Sequence, residues 1–132
     1  MQSHTDGTNI ITTASAAAAV LYARGVECLI RSSPDAGDNL RAAVRLDSHL
    51  AVAFAALAVA AASHELDSER DASIACALAE VHGTTRRERQ HVEIVALVLS
   101  GDISRAGALR AAHLAEFPLD SLIGHLLDPV EP

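Results

Sequence analysis

The chain has 132 residues, enough for one domain that buries a core without disulfide or metal staples, and half of them are apolar although aromatics make up only 2%. The formal net charge is −7 and every basic residue is an arginine, so no basic face is available to neutralise phosphates and a nucleic-acid binder is excluded. No basic residue precedes the apolar stretch near the N-terminus, and the longest apolar run, residues 50–62, is too short for a bilayer; the expectation is a cytoplasmic protein with no membrane contact.

About one residue in five is alanine, which loses no side-chain entropy in a helix and lets helix axes approach closely. The expected fold class is all-α, about seven antiparallel helices. Residues 1–12 read as a flexible N-terminal tail, 13–128 as a single helical domain and 129–132 as a short C-terminal tail. Thr12 or Thr13 can cap a first helix reaching residue 31, where Ser32, Ser33 and Pro34 break it. A second helix runs to residue 46, and Asp47 with Ser48 forms the next junction. A third covers 49–64, and a fourth follows the turn at 66–68 and ends near Val81. Thr85 and Glu88 have capping-box spacing ahead of a fifth helix over 86–99. Gly101 stops that helix and Asp102 can cap a sixth, closed by Phe117 and Pro118. Asp120 can cap a seventh through residue 127. No stretch alternates strictly enough to predict a strand.

An internal likeness links RLDSHLAVAFAALA, beginning at Arg45, to AEFPLDSLIGHLL, beginning at Ala115. Ser48 and Pro118 occupy the same junction 70 residues apart, close to two tetratricopeptide periods of roughly 34 residues, with His82 near the intermediate junction. The stretch RRERQHVEIVALVLSGDISRAGALRAAHLAEFPLDSLI, from Arg86 to Ile123, resembles the tetratricopeptide-repeat-protein-thirty-eight-like family, which carries a similar Arg-Glu-Arg-x-His-Val run, then Gly-Asp, and a His-Leu…Pro-x-Asp ending. The preceding AAVRLDSHLAVAFAALAV resembles that family's preceding repeat. His113 and Arg70 depart from the pattern, standing where a small residue is usual. The resemblance implies three tetratricopeptide-like hairpins plus a C-terminal capping helix, acting as a scaffold, with no catalytic residues to transfer.

Glu88 and His91 have the ExxH spacing that places a carboxylate and an imidazole on one helix face. No second such motif completes a metal site, so no metal, cofactor or catalytic set is expected. The two cysteines, Cys28 and Cys76, read as small buried hydrophobes rather than ligands. In stacked hairpins the leading helices line the concave face, which nominates Val52, Ala55, Val59, Glu88, His91, Val95 and Val98 as partner contacts, with core packing as the competing role. A scaffold that binds a peptide or partner helix is the favoured function. A small-molecule or lipid-tail binder is the second class, and an enzyme or accessory subunit using Glu88 and His91 the third. The C-terminal helix carries Leu119, Leu122, Ile123 and Leu126, more apolar surface than one hairpin covers, which predicts a homodimer through that face unless the helix folds back over the groove.

Overall fold

The computed structural model describes residues 3–5 and 9–127. Two short strands come first, β1 (Ser3–Thr5) and β2 (Ile10–Thr12). Seven helices follow among the described residues: α1 (Ala16–Ile30), α2 (Ala36–Leu46), α3 (Ala51–Ser63), α4 (Asp67–Glu80), α5 (Arg86–Ser100), α6 (Ile103–Glu116) and α7 (Ser121–His125). One turn of 3-10 helix, Val81–Gly83, joins α4 to the loop before α5. The fold is all-α, as the alanine-rich and aromatic-poor composition predicts.

The strand pair corrects the expectation of a strandless chain with a featureless tail over residues 1–12. Ser3 faces Thr12, His4 faces Ile11 and Thr5 faces Ile10 in an antiparallel ladder. Ile10, Ile11 and Thr12 are β-branched and favour extended backbone, and Ile11 is fully buried. Ser15, rather than Thr12 or Thr13, caps α1 by accepting the Ala18 N–H at 3.0 Å. The tail expected at 129–132 lies outside the described residues.

Other helix ends follow local chemistry. Thr85 and Glu88 form the expected capping box, and Gly101 ends α5 at φ 86°, a left-handed conformation that glycine adopts without a Cβ clash. Asp102 caps α6. Helices α3 and α7 are shorter than expected, with α7 reduced to five residues.

The leading helices keep a strict register. Helices α1, α3, α5 and α7 start at Ala16, Ala51, Arg86 and Ser121, spaced by 35 residues (51 − 16, 86 − 51 and 121 − 86). Each of the first three packs with the helix that follows it, and they also touch in order, α1 with α3 and α3 with α5. The central helix is α3, with nine of its 13 residues buried; an apolar run with no polar face belongs in the interior. Close approach between α1 and α2 needs Gly25, where an added Cβ would lie 2.5 Å from the Leu40 side chain.

By register α7 stands where a fourth leading helix would begin, yet it touches α1 as well as α5 and α6. It therefore folds back along the side formed by the leading helices. Leu122, Ile123 and Leu126 join the common core, and only Leu119 of the four nominated interface residues is exposed. The apolar surplus that argued for a homodimer is absorbed within the chain. Covering of Leu122, Ile123 and Leu126 by the chain itself matches the fold-back alternative for this helix, while Leu119 stays exposed.

Candidate functional site

The third leading helix differs from the first two in one respect. In the 35-residue register, Arg87, Glu88 and His91 of α5 correspond to Val52, Ala53 and Ala56 of α3, all buried and apolar. Arg87, Glu88 and His91 are themselves buried, Glu88 and His91 completely. Charged side chains go inside only when their hydrogen bonds are met there. The surrounding segments meet them, except at His91 Nε2, which is buried without a hydrogen-bond partner among the described residues.

Glu88 is held from two sides. Its Oε1 accepts the Thr85 N–H at 3.1 Å and the Thr85 hydroxyl at 3.0 Å, completing the helix cap. The same carboxylate accepts from β2, with the Thr12 hydroxyl at 2.6 Å from Oε1 and the Thr12 N–H at 2.9 Å from Oε2. Arg87 adds a second tie, donating from Nη2 to the Ile10 carbonyl at 3.2 Å. The Thr13 hydroxyl donates to Asp47, and Asn9 Nδ2 donates to the Leu119 carbonyl at 3.0 Å. An extended stretch of residues 9–13 thus crosses from the α6–α7 loop, over α5, to the α2–α3 junction.

Asp120, the cap of α7, is the hub of the other half. Its carboxylate accepts from Arg87 Nη1 at 2.9 Å, from His91 Nδ1 at 2.9 Å and from His113 Nε2 at 2.8 Å. His113 Nδ1 lies 2.8 Å from Gln90 Oε1. Burial pushes the Asp120 carboxyl up. The charge and hydrogen bond of His91, the hydrogen bond of His113 and the Arg87 charge outweigh it, and hold Asp120 well below the usual carboxylate range. On α6, Arg110 closes the far end of α7 by donating to the Ile123 and Gly124 carbonyls at 3.0 and 2.6 Å.

Among the residues nominated from sequence, Val52, Ala55, Glu88, His91 and Val95 are buried, while Val59 and Val98 pack against the core at its edge. Their burial fits the core-packing role weighed for them, with the strand segment bonded to α5 and α7 in contact with α1 and α5. Glu88 and His91 share the buried face of α5 but serve different partners, Thr12 and Asp120. Among the described residues no group of three or more His, Cys, Asp or Glu side chains is arranged to hold a metal, and no described helix is long and apolar enough to cross a membrane.

Sequence reasoning missed Arg87 and Asp120 as cluster members. Asp120 reads locally as a helix cap, and Arg87 as one of the arginines in the run Arg86-Arg87-Glu88-Arg89. The signal that could have found Arg87 is the register, in which polar residues replace Val52, Ala53 and Ala56; the register does not mark Asp120.

A cleft stands open away from this cluster. It has a volume of about 630 Å³ and lies between the C-terminal ends of α1 and α3, the start of α2 and the end of α7. Leu29, Ala36, Val59, Ala60, Leu126 and Leu127 give it an apolar lining, and the exposed Ser63, His64 and His125 stand at its edge. No family model, curated protein or solved structure matches the chain.

Proposed function

We propose that the chain is a helical-repeat interaction scaffold, of the tetratricopeptide type that its sequence resembles, and that it binds a peptide or partner helix in the cytoplasm. The 35-residue register of four helix starts supports the repeat reading. Two free thiols are compatible with a reducing compartment. The observation that carries the binding role is the open cleft: an apolar floor with a polar edge suits one or two apolar side chains of a partner whose backbone crosses the rim. Val59, nominated from sequence as a partner contact, lines it. Affinity capture from native lysate with the wild type and with Ser63→Trp, which obstructs the mouth without entering the core, tests this. The expected result is a partner retained by the wild type and lost by the variant with its melting curve unchanged. Equal capture by both contradicts it.

The volume of the same cleft also favours a second reading, a small apolar ligand, since ligand pockets commonly span about 300–1,000 Å³. Native mass spectrometry separates the two: a small co-purified mass, displaced in Ser63→Trp, favours the ligand.

A further inference from the structure

We propose that Arg87, Glu88 and Asp47 form a recognition site for an extended peptide, and that residues 10–13 occupy this site in cis. The partner it fits is an extended segment carrying an aliphatic residue followed by threonine. The site lies apart from the open cleft, shares no lining residue with it, and stands or falls independently of the cleft's role.

Three observations carry the inference. First, the contacts to residues 10–13 are those of a peptide complex. Charged side chains read main-chain groups, Arg87 at the Ile10 carbonyl (3.2 Å) and Glu88 at the Thr12 N–H (2.9 Å). Side-chain selectivity comes from the hydroxyls of Thr12 on Glu88 (2.6 Å) and of Thr13 on Asp47. Main-chain bonds for affinity and alternate side chains for specificity are how proteins hold extended segments. Second, the segment is taken in by the site: Ile10 is 57% exposed, and the three residues after it, Ile11, Thr12 and Thr13, are all buried.

Third, neither earlier unit of the stack carries a charge at these positions. At the positions of Arg87 and Glu88 the first two units carry Ala17 and Ala18, then Val52 and Ala53. A buried carboxylate and guanidinium are costly to desolvate, and three of the groups they engage, the Ile10 carbonyl and both Thr12 donors, belong to the segment. The segment thus completes the bonding of two buried charged groups that Asp120 and the α5 cap engage from the other side. Because it is tethered to α1, the segment holds the site at a high effective concentration, and a free competitor succeeds only when the tethered copy is weakened.

The test uses full-length chains. Thr12→Pro removes both donors to Glu88 from the tethered segment, and Glu88→Ala restores the alanine that the other units carry there. A fluorescent peptide with the sequence of residues 9–15, Asn-Ile-Ile-Thr-Thr-Ala-Ser, is titrated by anisotropy. The expected result is binding to Thr12→Pro at least tenfold tighter than to the wild type, and no binding to the Thr12→Pro/Glu88→Ala double variant, with cooperative melting in all chains. A folded Thr12→Pro chain that ignores the peptide overturns the proposal, and so does binding that survives Glu88→Ala. Loss of cooperative melting in Thr12→Pro or Glu88→Ala overturns it equally, because a ligand held in cis is dispensable to the fold.

Discussion

Asp120 concentrates the electrostatics of the interior on one side chain. It caps α7 and carries the only carboxylate facing Arg87, His91 and His113 among the described residues. Removing one partner from a buried ionic network leaves the others uncompensated, a loss of roughly 3–5 kcal/mol. Asp120→Asn keeps the shape and the cap and so isolates the charge; its stability to urea is expected to fall by about that amount. The pH dependence follows from the direction of the shift. The native carboxyl titrates below its unfolded counterpart, so the unfolded state takes up the proton first as pH falls. The stabilisation is therefore complete above the ordinary aspartate value of about 3.9 and erodes progressively beneath it. Urea midpoints measured from pH 6 to pH 3 should decline less below pH 4 in Asp120→Asn than in the wild type.

At the scale of elements, tight packing of small residues fixes how the hairpins close. Gly25 faces Leu40 across the α1–α2 contact with no room for a methyl group. Overpacking of this kind costs roughly 1–3 kcal/mol. Gly25→Ala is expected to lower the denaturation midpoint, and the double change Gly25→Ala/Leu40→Ala to lose less than the sum of the two single losses, because the second substitution vacates the space the first requires. What was legible in the sequence sits at this scale. Gly101, Asp102 and the Thr85–Glu88 box announce helix ends through local chemistry that acts within a turn, and the unbroken apolar run of α3 announces a central helix. Strand β2 was not legible, because three residues give no alternation to read. Nor was the fate of α7: its leucines look surplus along the chain, and only the fold brings α1 close enough to cover them. The site was half legible. Glu88 and His91 were visible as an ExxH pair, but their partners Thr12 and Asp120 lie 76 and 29 residues away.

Across the whole molecule, the side where a stack of hairpins would be expected to receive a partner is largely filled by the chain's own ends. Residues 9–13 cross it from one direction and α7 from the other, and the two meet at the α6–α7 loop, where Asn9 bonds Leu119. This arrangement accounts for the burial of Glu88 and His91, for the absence of an exposed apolar α7, and for the placement of the remaining cleft beyond the end of α7. Under the proposed binding role, a partner would meet a cleft open at rest and a face that opens when residues 9–13 leave. The most direct measurement is hydrogen exchange at the Thr12 amide in the wild-type chain. Its N–H donates to a buried carboxylate, so the account predicts exchange slowed at least about tenfold relative to the free peptide of the same sequence, as for an amide released only by local opening. Exchange at the free-peptide rate would show that the segment does not occupy the face, and would contradict the account.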